Sequence, residues 1–432
     1  MSDSKEESIG FWGVVSIGVG GMVGGGIFAV LGLSATMAGG ATPVAFAVAG
    51  VVALLTAYSY SKLSVSYPSQ GGTVIFLDKA FGVNLMTGSM NTLLWLSYIV
   101  TLSLYAAGFS SYFASLVGLD GSLWNHVLIS LGIIVPTALN LLSPSLVSKT
   151  ETYVVFIKVL ILLIVLGFGF TSIDSQRLMP ETWGSAGMII SSGMIVFVAY
   201  EGFELIANTS SDVKDPEKTL PRAYYTSVIF VIALYILTAM VTVGSLDAEA
   251  IKKAADFALA KAAAPSMGQV GFTMVGVAAV MATFSAINAT LYGSARLAYT
   301  ISEEKEVPPF LKKKLWNQPV VGLLMTAGVA LIMANLMDVE SISMLASAGF
   351  LIVFGMVNAA SYYRSEEVKS SKPVAALGVI SCIAALAALL WHTWGTDPHV
   401  LWFLLGMIVM VVVIEVANLM NYEHHLKPRF TK

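Results

Sequence analysis

The chain has 432 residues, of which 56% are hydrophobic and 11% charged, with a formal net charge of −3. Soluble domains carry about 25% charged residues, so this composition excludes a soluble enzyme or binding domain. With a mean hydropathy of +0.80, the chain falls among proteins that cross a bilayer many times. No basic stripe for nucleic acid accompanies the charge, and the single cysteine, Cys382, excludes an intramolecular disulfide framework. The five histidines form no HExxH pattern, and GxSxG is absent too. The polar, acidic start MSDSKEES does not read as a cleavable leader, which opens on a cationic region.

A spanning helix needs about 20 largely apolar residues. Twelve stretches qualify, near 11–38, 42–64, 83–115, 124–142, 150–171, 185–210, 221–244, 268–300, 319–337, 340–362, 374–394 and 399–420. The third and eighth are long enough to tilt or protrude. The expectation is one all-α membrane domain over 1–432: an N-terminal segment 1–9, a five-helix repeat over 10–171, a second over 185–364, two accessory helices over 373–420 and a tail 421–432.

An even count puts both termini on one side. Of the 23 lysines and arginines, 18 then share the side of the termini, four lie opposite (Arg177, Lys252, Lys253, Lys261) and one, Lys158, lies inside a span. This bias predicts cytoplasmic termini in the cell membrane. The longest polar connection, 245–267, places Ile251, Ala254, Ala255, Ala258, Leu259 and Ala262 at helical spacing, which predicts a short amphipathic helix on the outer surface.

The first span contains GVGGMVGGGIF, residues 18–28. Glycine inside a helix costs roughly 0.5–1 kcal/mol relative to alanine, so six of them need a reason. Gly20 with Gly24 and Gly21 with Gly25 form GxxxG pairs that let helices pack closely. Alternatively, Gly24 to Gly26 mark an unwound turn whose free peptide groups face a polar guest. A nucleotide loop fails, since Val23 stands where a third glycine belongs. The sixth span carries FVAYEGFE, residues 197–204, with Gly202 between Glu201 and Glu204. Interruptions in the first and sixth spans favour the unwound reading, with two inverted halves meeting at a midplane site.

GGMVGGGIF, FVAYEGFE followed by SDVKDPEKTLPRA (211–223), YPSQGGTVIF (67–76) and SAINATLYGSARLAY (285–299) together resemble the amino acid–polyamine–organocation transporter superfamily, from about residue 10 to 420. A lysine in the fifth span, in VVFIKVLIL (154–162), makes the chain most similar to its archaeal proton-coupled members. The resemblance implies a LeuT-like fold: a five-plus-five inverted repeat with discontinuous helices 1 and 6 and two trailing helices. It implies a proton-coupled importer of amino acids, of broad neutral specificity, with a carrier or exchanger of cationic amino acids or polyamines as the alternative. It also implies that a substrate carboxylate meets amides at Gly24, Gly25 and Gly26 and an amino group meets carbonyls at Met22, Val198 and Glu201, beside Gly202. Phe197, Tyr200, Phe203 and Asn288 would supply pocket walls.

Lys158 lies about 12 Å past Thr150 along the fifth span, among apolar helical neighbours. It either snorkels to the interface or is functional, as intramembrane ionisable residues usually are. The functional reading is a proton switch: desolvation penalises the charged amine, and the ammonium would bind carbonyls near Gly20 and the hydroxyls of Thr283 and Ser285, bracing spans one and eight. Glu201 departs from the resemblance, where the position is usually apolar; it would favour cationic substrates, serve as a second proton site, or be protonated and silent. Glu204 reads as an acceptor for helix-end groups. No metal or organic cofactor is expected; the partners are the amino-acid substrate, protons and the bilayer. A membrane enzyme would need a nucleophile–base pair or metal ligands at the midplane, which the pattern lacks, and a channel would need a continuous polar pore.

Overall fold

The computed structural model describes residues 8–142, 144–303 and 320–423, and among them the secondary structure is helical, with isolated bridges only at Ile9–Val213 and Gly39–Trp183. In chain order the helices are α1 (Phe11–Met22), α2 (Gly26–Ala38), α3 (Thr42–Ser66), α4 (Thr73–Phe81), α5 (Leu85–Val117), α6 (Ser122–Leu142), α7 (Pro144–Gly169), α8 (Ala186–Ile195), α9 (Pro216–Ser245), α10 (Ala248–Lys253), α11 (Ala258–Glu303), α12 (Val320–Leu336), α13 (Val339–Tyr363), α14 (Lys372–Thr396) and α15 (Pro398–Glu423). The N-terminal residues 1–7, the cations Lys305 and Lys312 to Lys314, and the tail from His424 lie outside the described residues.

Among the described residues ten helical segments are long and apolar enough to cross a bilayer, and α1 with α2, bent by 47° at their junction, make an eleventh. The stretch expected at 319–337 is α12, an apolar helix of 17 residues. At 1.5 Å per residue it is about 25 Å long, slightly under the hydrocarbon width.

The breaks fall in the first and sixth spans, as an inverted repeat of five requires. Span one stops at Met22 and restarts at Gly26. In span six, α8 tightens into a 3₁₀ helix over Val196–Tyr200, turns at Gly202 and resumes over Phe203–Asp212. The central pillar is α5, opened by a reciprocal cap in which Asn84 accepts from the Thr87 N–H and Thr87 Oγ1 accepts from the Asn84 N–H. It packs against α6, α11, α12, α13 and α15. By contrast α14 and α15 keep broad apolar faces outward, including Ile380, Ile383, Val409 and Val413, as accessory helices in lipid would.

The 245–267 connection departs from expectation. Instead of one helix resting on a surface, it forms α10, a 3₁₀ turn over Ala255–Phe257 and the opening turns of α11, which break from the span proper at Gly268 (φ 60°). Its apolar side is buried in protein: Ile251 and Ala262 join Ala35, Val243 and Leu246 in one cluster, and α10 packs on α2. The amphipathic spacing was satisfied by a neighbouring helix rather than by the bilayer.

Candidate functional site

The two breaks touch each other. A β-carbon added at Gly202 would lie 2.3 Å from the Gly21 carbonyl carbon, and one added at Gly21 would lie 2.6 Å from the Gly202 oxygen. Gly202 also has φ 117°, which side-chain-bearing residues rarely adopt. Glycine at both positions is therefore a steric requirement. At the far end of the peptide chain, Ile9 N–H donates to Asp212 O (2.8 Å) and Lys214 N–H to Ile9 O (2.9 Å), tying the entry of α1 to the exit of span six.

Breaking two helices at membrane depth frees peptide groups that must find partners. Side chains supply several. Glu204 Oε2 accepts from the Gly202 N–H at 2.7 Å while Oε1 accepts from the Tyr98 hydroxyl at 2.8 Å, the acceptor role expected of it. Tyr235 on α9 donates to the Met22 carbonyl at 2.6 Å, with the Ala199 carbonyl 3.1 Å away, so one phenol serves both breaks. Ser347 on α13 donates to Ile195 O at 2.8 Å and accepts from the Val198 N–H at 3.0 Å, where α8 passes into its 3₁₀ turn. The Val198 carbonyl accepts from the Glu201 N–H at 3.1 Å. The leading N–H groups of α2, at Gly26, Ile27 and Phe28, precede any intrahelical acceptor and sit at the positive end of its dipole.

Lys158 on α7 is 1% exposed, so it does not snorkel. The residue one turn earlier, Val155, fills the space over Gly20: a β-carbon there would lie 2.8 Å from Val155 Cγ2. That packing brings Lys158 Nζ to the Gly20 carbonyl, to which it donates at 3.1 Å. Of the other expected partners, Thr283 is buried and its hydroxyl donates back to Ala279 O at 2.7 Å, while Ser285 is buried on the same helix.

A cavity of about 580 Å³ runs from the N-terminal end of α1, at Ile9 and Trp12, up to Gly20, Gly21 and Glu201. Small residues of α11, Ala286, Ala289 and Gly293, form one wall. The upper end is closed by Tyr105 of α5. Its hydroxyl donates to Glu201 Oε2 at 2.8 Å, and its ring lies over Gly25, where a β-carbon would come within 2.6 Å of Cδ1. A β-carbon at Gly24 would meet Ala286 Cβ at 3.3 Å.

Several expected wall residues lie elsewhere. Asn288 is not part of the cavity; it accepts from Asn140 Nδ2 at 2.6 Å across α6 and α11, because its place two positions after Ala286 and one before Ala289 turns it off the helix face those two share. Phe197, Tyr200 and Phe203 are fully buried in the core rather than lining the cavity, and the expected backbone positions Met22, Gly24, Gly25, Gly26, Val198 and Gly202 are likewise buried behind its wall, which at the breaks is formed by Gly20, Gly21 and Glu201. Tyr200 donates to Phe46 O, and Phe197 and Phe203 pack on Phe354. The residues that do shape the break, Tyr98, Tyr105, Tyr235 and Ser347, are absent from the sequence expectations. Their signal was a hydroxyl inside an apolar span, which needs an acceptor, but its partner is remote in sequence.

The model of the amino acid permease family matches residues 9–414, almost the whole chain. The chain belongs to the amino acid permease family. Among similar proteins, an uncharacterized protein of Methanocaldococcus jannaschii is 33% identical over 95% of both chains. The inner membrane transport protein YbaT of Escherichia coli is 32% identical over 97% of this permease and 98% of its own length. The cationic amino acid transporter 7 of Arabidopsis thaliana is 25% identical, over 96% of this permease and 76% of its own length. A crystal structure of the Eremococcus coleocola manganese transporter superposes with a TM-score of 0.64 at 12% identity, covering 99% of the permease and all of that chain, which shows the LeuT-like fold alone. The permease is thus an integral membrane protein and a secondary transporter of the amino acid–polyamine–organocation superfamily.

Proposed function

We propose that the permease imports amino acids by symport with protons, with broad preference for neutral substrates. The substrate zwitterion binds at the paired breaks, its carboxylate on the amide groups of Gly24, Gly25 and Gly26 and its ammonium among the carbonyls of spans one and six. The polarity agrees with electrostatics: the start of α2 presents N–H groups and a positive dipole end, and the end of α1 presents carbonyls.

The observation that carries the coupling is the Lys158 bond to the Gly20 carbonyl, one residue before the Gly21–Gly202 crossing. A protonated amine there braces α7 against α1. A neutral amine has lost the charge that strengthens this bond, and α1 is released. Proton arrival on one side and departure on the other then drives alternating access, with the termini in the cytoplasm of the cell by the distribution of Lys and Arg. No cofactor enters this cycle.

A second reading, transport of cationic amino acids or polyamines, has one observation in its favour: Glu201 faces the cavity. The test is uptake of a labelled amino-acid panel into proteoliposomes with proton and sodium gradients imposed separately. The proposal expects accumulation of neutral amino acids with an inward proton gradient; accumulation driven by sodium alone would overturn it.

A further inference from the structure

Outside the cavity, one corner of the molecule brings basic and exposed apolar side chains together: the end of α4, the start of α5 and the connection from α13 to α14. Arg364, just past α13, donates from Nη2 to the Lys79 carbonyl of α4 at 2.8 Å, and Phe81 stacks on Tyr363 with ring centroids 5.9 Å apart. The connection folds back on itself through the Ser370 N–H, which donates to Ser365 O at 2.9 Å. It closes onto α3 where the Ser371 N–H donates to the Tyr58 hydroxyl, and Lys62 lies over the Tyr58 ring, 5.8 Å from its centroid.

Five cations thus lie together, Lys62, Lys79, Arg364, Lys369 and Lys372, against three carboxylates, Asp78, Glu366 and Glu367. Glu367 pairs with Arg364 at 3.4 Å and Glu366 with Lys372 at 3.5 Å. Asp78 turns toward the buried Asn91 of α5, whose Nδ2 is 3.5 Å from its Oδ1. Lys62, Lys79 and Lys369 have no carboxylate at ion-pair distance among the described residues. Beside these cations the surface is apolar. Val83, in the turn between α4 and α5, is 62% exposed and Tyr363 is 68% exposed, and Leu85 and Met86 in the first turn of α5 also face outward. Tyrosine at a span end marks the boundary between headgroups and hydrocarbon. The cations alone would suit any anion. The apolar collar beneath them adds a second requirement, an apolar tail on that anion.

We propose that this corner binds an acidic phospholipid, its headgroup phosphate on Lys79, Arg364 and Lys369 and an acyl chain along Val83, Leu85 and Met86. Arg364 is already oriented for this by the Lys79 carbonyl and Glu367, and guanidinium to phosphate is among the stronger hydrogen-bonded pairs. On the orientation proposed above, the corner meets the cytoplasmic leaflet, where acidic lipids give the surface its negative potential. The site also bears on the transport path. Helix α4 ends beside it and begins at Thr73, which lines the cavity, so a lipid held at one end of α4 steadies the wall at the other.

The experiment is native mass spectrometry of the delipidated full-length permease in detergent, titrated with phosphatidylglycerol or with phosphatidylcholine of the same acyl chains. Each basic side chain near acidic headgroups strengthens attachment by about fivefold, so the wild type is expected to hold phosphatidylglycerol about tenfold more tightly than phosphatidylcholine. Lys79→Gln combined with Lys369→Gln removes two exposed charges that make no ion pair among the described residues, and the preference should then fall by about tenfold. The same change at Lys252 and Lys253, exposed on α10 at the other end of the bundle, should leave it intact. Equal retention of the two lipids by the wild type, which needs no variant to fold, overturns the proposal; so does an undiminished preference in the Lys79 and Lys369 variant, or an equal loss in the Lys252 and Lys253 variant. Displacement of the lipid by excess inorganic phosphate would make this a plain anion site and overturn it too. A protein chain retained at the corner in place of lipid, in spectra recorded before delipidation and lost in the Lys79 and Lys369 variant, would do the same.

Discussion

Gly21 and Gly202 meet backbone to backbone: a β-carbon at Gly202 would fall 2.3 Å from the Gly21 carbonyl carbon. The two interrupted spans thus cross with no side chain between them, and the peptide groups freed on either side lie around one point. Tyr235, Glu204 and Ser347 satisfy part of that set, which fixes the geometry of the remainder.

Substitution at this crossing should be graded by space. Gly202→Ala adds a methyl inside backbone contact and forces alanine to φ 117°, a conformation costing roughly 1–2 kcal/mol before any clash. Gly24→Ala meets its neighbours at 3.2–3.3 Å, where a few tenths of an ångström of movement suffices. Monodisperse yield by size-exclusion chromatography should collapse for Gly202→Ala and stay within about twofold of wild type for Gly24→Ala, whose defect should show instead as weaker substrate binding.

Lys158 braces α7 to α1 through the Gly20 carbonyl. Lys158→Met keeps the bulk and removes the proton site. Acid outside the vesicle should accelerate uptake in the wild type and have no effect in the variant. Retained expression and substrate counterflow would show that the loss lies in coupling. Acid-stimulated uptake in Lys158→Met would remove the amine from the mechanism.

Tyr235→Phe leaves the Met22 and Ala199 carbonyls without their phenol donor. An unsatisfied buried polar group costs about 1–3 kcal/mol, so a fall of a few degrees in the thermal midpoint is expected in detergent. A midpoint equal to wild type would mean another donor reaches those carbonyls.

The Asn140–Asn288 pair links α6 to α11 away from the cavity. Single alanine substitutions should lower stability by about 0.6–2 kcal/mol, the range for hydrogen bonds between membrane helices. They should leave the ranking of substrates in competition assays unchanged. A changed ranking would return Asn288 to the substrate wall.

Much of this was legible in the sequence because it is one-dimensional. The spans follow from runs of apolar residues, and the two breaks from GVGGMVGGGIF and YEGFE, since unwinding is a local property of glycine-rich turns. The lysine on Gly20 was legible too, because an amine surrounded by apolar neighbours has few acceptors other than an open turn. Helical phase was less so. Asn288 and Ala286 are two residues apart and point to opposite partners, and which of them faced the cavity depended on how α11 sits against α5 and α6. Nor could spacing reveal Tyr105 or Tyr235, whose acceptors are 96 and 213 residues away in the chain. The amphipathic face of 245–267 was visible, but the sequence does not say whether protein or lipid covers it; here it is α2.

The most direct test of the central claim is a cryo-electron microscopy map of the permease in nanodiscs with saturating alanine. Density for the amino acid should lie between the two breaks, its carboxylate against the amides of Gly24 to Gly26. Alanine density elsewhere, or first and sixth spans that run unbroken through the membrane, would contradict the account.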